Sequence, residues 1–182
     1  MNDAMNKVME TNKDYVIAMD TDSLYVNMKD LVEKFQPKNP INFLSKAGED
    51  MFQPALAKAY KKLHDYLGCR ENRMDMDREV IADRGVWTAK KRYILNVLDN
   101  EGIRYAEPKM KIMGIEAIKS STPQVVRAAF KEAFKIIMAG SESDVQEYIS
   151  DFKEKFFEMP PEDVSFPRGV SKISAWKDRE TV

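Results

Sequence analysis

The chain has almost no cysteine: Cys69 stands alone, with no Cys-x-x-Cys spacing and no adjacent histidine. An internal disulfide and a structural zinc site are therefore excluded, and a reducing compartment suits the composition. Histidine is equally scarce, with His64 the sole example; it falls on the polar side of an amphipathic stretch, as a surface residue would. No apolar run reaches the length of a membrane-spanning helix, and Met1 to Lys7 lack the basic start and apolar core of a signal peptide. A soluble, cytoplasmic chain is expected, with no membrane partner. Net charge is also missing, since 29 Lys plus Arg face 30 Asp plus Glu. Bulk charge therefore says nothing about nucleic acid, and any electrostatic partner must be read from where the charges sit. What is present is a 43% hydrophobic content over 182 residues, enough for one domain or one domain plus an appendage. The twelve methionines follow no spacing and read as core filler.

Residues 4–10 read as the end of a helix. Two short apolar runs, Tyr15 to Met19 and Leu24 to Met28, flank Asp20-Thr21-Asp22-Ser23, which predicts a hairpin with acids at its tip. Met51, Phe52, Ala55, Leu56, Ala59, Tyr60, Leu63 and Leu67 recur at helical spacing up to Gly68. From Met74 to Glu116 the period falls toward two. Asp83-Arg84-Gly85 and Asp99-Asn100-Glu101-Gly102 then supply turn chemistry, and an antiparallel meander is expected. Ser121-Thr122-Pro123 reads as a helix start, with Val126, Phe130, Ala133 and Ile137 as the buried stripe. A further helix runs from Ser143 to Pro160-Pro161, and the tail from Glu162 has weak periodicity. No repeat or low-complexity tract interrupts this plan, so the class is α+β, a sheet region followed by a helical one with a boundary near Lys119.

Two features carry chemistry. Asp20 and Asp22 repel each other at the tip of an apolar hairpin. Magnesium, which takes one or two protein carboxylates and completes its octahedron with water and phosphate oxygens, would relieve that repulsion; a solvated turn has the same composition. If Met74 to Val80 is a strand, Asp75, Asp77 and Glu79 share one face, either as a solvated sheet surface or as part of the same cation-binding patch. The second feature is a basic sector. Between Arg84 and Lys111 the sequence carries a local charge of +4, centred on Lys90-Lys91-Arg92-Tyr93. Read as extended, this run points Lys91 and Tyr93 to one side and Lys90 and Arg92 to the other. A cation beside an aromatic hydroxyl suits a nucleic-acid backbone, whereas a solvated sheet edge would need only the charge.

In order, Asp20-Thr21-Asp22-Ser23-Leu24-Tyr25-Val26, Met76-Asp77-Arg78-Glu79, Lys90-Lys91-Arg92-Tyr93, Lys111-Ile112-Met113-Gly114-Ile115-Glu116 and Ser120-Ser121-Thr122-Pro123 closely resemble the family B DNA polymerases of large tailed phages, over nearly the whole chain. The resemblance implies an antiparallel palm-type sheet with covering helices over residues 1–118 and the beginning of a thumb over residues 119–182. It implies that Asp22 ligates the two catalytic Mg2+ ions with Asp20 beside them, and that Asp77 and Glu79 form a supporting acidic strand, Glu79 being the better candidate for a water-mediated role. Lys91 and Tyr93 would touch the primer strand near its 3′ end, with Lys90 and Arg92 flanking. The partners implied are primer-template DNA and a deoxynucleoside triphosphate. Met19 departs from the pattern, because the family usually has glycine before the first aspartate. The family's motif A, motif B and exonuclease domain have no counterpart here. The chain alone is therefore expected to be inactive, to need an N-terminal polymerase half as partner, as in a split polymerase or a truncated one, and to self-associate without it.

Two other classes share part of this pattern. A metal-dependent glycosyltransferase also uses Asp-x-Asp, but requires a nucleotide-binding α/β region ahead of it, and only a short polar segment precedes Tyr15. A non-catalytic nucleic-acid-binding module needs only the basic sector, and metal dependence separates it from a polymerase.

Overall fold

A computed structural model describes residues 1–169 and 171–172. The elements run α1 (Asn2–Met9), β1 (Val16–Asp20), β2 (Ser23–Val26), α2 (Lys29–Phe35), α3 (Pro40–Ala47), α4 (Gln53–Leu67), β3 (Val80–Ala89), β4 (Arg92–Asn100), β5 (Ile103–Met113), α5 (Gln124–Ala139), α6 (Glu142–Glu158) and α7 (Pro161–Val164). A π-helical turn, Gly48–Phe52, joins α3 to α4, and a 3-10 turn, Glu116–Ile118, precedes α5. The class is α+β, with an antiparallel β1-β2 pair and a three-stranded antiparallel sheet in the order β3-β4-β5.

The chain divides into two compact units. One holds Met1–Asp83 and Asn96–Met110; the other holds Arg84–Leu95 and the chain from Lys111 on. In the first, Met5, Tyr15, Leu31 and Ala47 are buried together, with Val26, Met28, Phe43 and Phe52 packed on them. This cluster lets a two-stranded hairpin persist, since such a pair is marginal without a core behind it. Asn39 caps α3 by accepting from the Asn42 amide at 3.0 Å, with Pro40 in the first turn. Gly68, at φ 62, ends α4 in the left-handed conformation that glycine adopts at little cost.

In the second unit Phe134 and Met138 are the buried face of α5, while Phe130 and Ile137 are 37% and 40% exposed. The buried stripe is thus displaced by one residue from the expected Phe130 and Ile137, a rotation of about 100°. Phe130 stacks on Phe134 at 5.9 Å instead of entering the core. Thr122 does not cap α5; its buried hydroxyl donates to the Glu116 carbonyl at 2.9 Å and closes the preceding turn. Arg84 Nη1 donates to the Met138 carbonyl and so satisfies one of the last acceptors of α5.

Three expectations about the meander need correction. Asp83-Arg84-Gly85 is not a turn but the middle of β3, and the glycine is there for space: a β-carbon at residue 85 would lie 2.7 Å from Leu95 Cδ2 and from the Trp87 ring. Gly85 marks close packing over a strand. Met74 to Glu79 is not a strand: burial still alternates, with Asp75, Asp77 and Glu79 outward, but no ladder forms before Val80. Finally, Lys90-Lys91 is not extended. It is the turn between β3 and β4, with Lys91 at φ 61, so the alternation placing Lys91 and Tyr93 on one face does not apply.

Candidate functional site

The acidic hairpin forms where the sequence places it. β1 and β2 pair antiparallel with Met19 opposite Leu24 and Asp20 opposite Ser23, and Thr21-Asp22 makes the tip. Thr21 takes φ 44, and its hydroxyl donates to Asp20 Oδ1 at 3.2 Å, while Ser23 Oγ donates to the Asp20 carbonyl at 3.2 Å. The two hydroxyls tighten the turn around Asp20, which is half-buried, and leave Asp22 exposed. Met19, where a glycine was expected, is 73% exposed and stands off the strand beside Asp20.

A pair of hard carboxylate oxygens one residue apart matches in kind and number what magnesium takes from a protein. Among the described residues, however, no three acids, histidines or cysteines are gathered into one metal-holding group.

The acidic segment is held by other means. Gln53 Nε2, on α4, donates to the Met76 carbonyl at 2.8 Å and to Asp77 Oδ1 at 3.1 Å. The Glu79 carbonyl accepts from the Glu101 amide at 2.6 Å. Between them Arg78 turns inward and donates through Nη1 to Asp99 Oδ1, which also accepts from the Gly102 amide at 3.0 Å. Arg104 Nε lies 3.8 Å from the other Asp99 oxygen. Asp77 and Glu79 are thus exposed on a segment whose backbone is held at the Met76 and Glu79 carbonyls and anchored between them by the Arg78 side chain. Asp99 and Arg78 were missed as a supporting pair, although an aspartate three residues before a turn glycine was a visible signal for a side chain folding back onto the turn amide.

Among the basic residues, Arg92 and Tyr93 open β4. Tyr93 is half-buried with its ring 6.3 Å from that of Trp87, and Lys90, Lys91 and Arg92 are exposed. Arg92 Nη2 lies 3.8 Å from Glu116 Oε1. The Glu116 carboxyl is held below its usual range chiefly by the hydrogen bond from Lys119, whose ammonium stands at 2.9 Å. Asp20, Asp22, Asp77 and Glu79 belong to the first unit, and Lys90 to Tyr93 to the second.

No protein-family model matches the chain. It is similar to the DNA-directed DNA polymerase of Enterobacteria phage T4, 37% identical over 194 aligned positions that cover 98% of this chain and 22% of that protein. It is also similar to the DNA-directed DNA polymerase of Escherichia phage RB69, 39% identical over 157 positions that cover 78% of this chain and 17% of that one. The chain thus spans about a fifth of the length of the curated relatives it matches.

Proposed function

Over nearly its whole length the chain belongs with one segment of the phage DNA-directed DNA polymerases, and from that premise we propose that it is the rear of a family B palm, residues 1–118, running into the base of the thumb, residues 119–182. It works in the host cytoplasm together with a polypeptide that carries the remaining polymerase parts, and is inactive without them.

In this reading Asp22, with Asp20 beside it, presents carboxylate oxygens for two Mg2+ ions. When bound, these supply electrostatic stabilisation of the attacking and leaving oxygens as a nucleotidyl group passes from a deoxynucleoside triphosphate to a primer 3′-hydroxyl. The hydroxyls of Thr21 and Ser23 hold the turn so that Asp20 is oriented and Asp22 faces outward. Asp77 and Glu79 add negative charge from a pinned segment. Lys90, Lys91, Arg92 and Tyr93 hold the primer backbone, which carries no sequence information and so suits a copying enzyme.

The observation that carries the proposal is the acidic hairpin, formed with Asp20 at the end of β1 and Asp22 in the turn, in a chain related to polymerases over 98% of its length. The test is primer extension by this chain mixed with an N-terminal polymerase part, with and without magnesium. Asp22→Asn is expected to lower synthesis by about two to three orders of magnitude or more, the scale of losing one preorganised electrostatic contact, while leaving duplex binding intact. Synthesis undiminished in Asp22→Asn would instead favour a nucleic-acid-binding module without catalysis.

A further inference from the structure

The residue after β5 is Gly114, at φ 67. That conformation alone favours glycine, but the stronger constraint is spatial. A β-carbon at 114 would lie 2.1 Å from the carbonyl oxygen of Lys91, 3.1 Å from its carbonyl carbon and 3.3 Å from Arg92 Cγ. The first two are backbone atoms, which cannot step aside without carrying the whole Lys90-Lys91 turn with them. That turn has little slack of its own. It joins β3 and β4 by two residues, Lys91 is already in the left-handed region, and Thr88 Oγ1 closes it from within by donating to the Arg92 carbonyl at 3.3 Å.

We propose that Gly114 is the positioning residue for Lys91: the bare α-carbon at 114 is the seat on which the β3-β4 turn rests, and it sets where the Lys91 ammonium meets a nucleic-acid phosphate. This rests on the reading above, in which Lys91 contacts the DNA backbone. Gly114 itself touches no DNA. It acts through the carbonyl of Lys91, so the only part of recognition it governs is the phosphate contact that lysine makes.

The experiment measures binding of the full chain to a primer-template duplex by fluorescence anisotropy over a series of salt concentrations. Each phosphate contact contributes about 0.9 to the slope of log affinity against log salt. Lys91→Gln removes the charge. Gly114→Ala is expected to reproduce it, with a several-fold weaker affinity and a slope flatter by about one ion, and the double variant is expected to bind no worse than Lys91→Gln alone. A second variant inserts one glycine between Lys90 and Lys91, which frees Lys91 from its seat without adding a side chain at 114. The same loss is expected from it, so the proposal stays testable if Gly114→Ala does not fold. If Lys91→Gln weakens binding while Gly114→Ala or the insertion binds like the parent, the proposal fails and the reading beneath it stands. It also fails if the effects of Lys91→Gln and Gly114→Ala multiply in the double variant, which would mark a general disturbance. If Lys91→Gln has no effect, or the parent shows no salt-dependent binding, both fall together.

Discussion

Asp99 is 2% exposed, a carboxylate among the most buried side chains of its unit. It is tolerated there because Arg78 and the Gly102 amide supply donors, so the charge is desolvated but not alone. Asp99→Ala would leave Arg78 and the turn amide without their acceptor, at a cost of about 2 to 4 kcal/mol in urea or thermal unfolding. Replacing both partners, Asp99→Leu with Arg78→Met, is expected to recover most of that loss, since what destabilises is the stranded partner. A single substitution that melts like the parent would show the pair to be idle. Glu101 and Gly102, at φ 52 and φ 85, give this turn the two left-handed residues of a hairpin that follows strand twist. That much was legible in Asp99-Asn100-Glu101-Gly102, but the destination of the Asp99 carboxylate was not, because its partner lies 21 residues away.

Among the elements, legibility followed how local the cause was. The acidic hairpin, α4 and α6 have periodic apolar faces and local stops, and all three stand where the sequence put them. The β3-β4 turn has neither glycine, asparagine nor proline. Its left-handed residue is a lysine held by Gly114 from the far end of β5, while Gly85, which does signal a turn, serves packing inside β3. α2 was not foreseen at all, being seven residues with only Leu31 fully buried. α6 shows the opposite case. Ser141 accepts from the Asp144 amide at 3.4 Å, and Asp144 Oδ2 accepts from the Ser141 amide at 2.7 Å, a reciprocal local cap that sets the start two residues before the expected Ser143. Ser141→Ala should cost about 1 kcal/mol in a thermal or urea melt. The bonds from the Ser141 amide and hydroxyl hold the Asp144 carboxyl below its ordinary 3.8. A depressed pKa in the folded state means the cap's contribution is complete above about 3.8 and is lost as pH falls below it. Circular dichroism from pH 6 to 2 should therefore show the start of α6 fraying at the acid end only, and Asp144→Asn should flatten that dependence.

At the scale of the whole molecule, large apolar side chains stand in solvent in both units: Met19 73%, Tyr66 86% and Leu67 60% in the first, Phe157 86% and Phe166 69% in the second. Single exposed apolar residues are ordinary. Met19, however, sits on a strand of a pair that has only two members among the described residues, and unpaired strand edges beside apolar side chains are where chains join. The aligned relatives are about five times as long as this chain, so the proposed partner has ample surface to cover such groups. Alone at micromolar concentration, the chain is therefore expected to sediment as a mixture of oligomers. Met19→Lys with Tyr66→Lys should shift it toward monomer, because charge on a strand and a helix end opposes edge pairing without touching the buried cluster of Met5, Tyr15, Leu31 and Ala47. Adding an N-terminal polymerase part should do the same through a one-to-one complex. A parent chain that sediments as a clean monomer and melts cooperatively would show that these side chains await no cover, and would remove the need for a second polypeptide as far as folding is concerned.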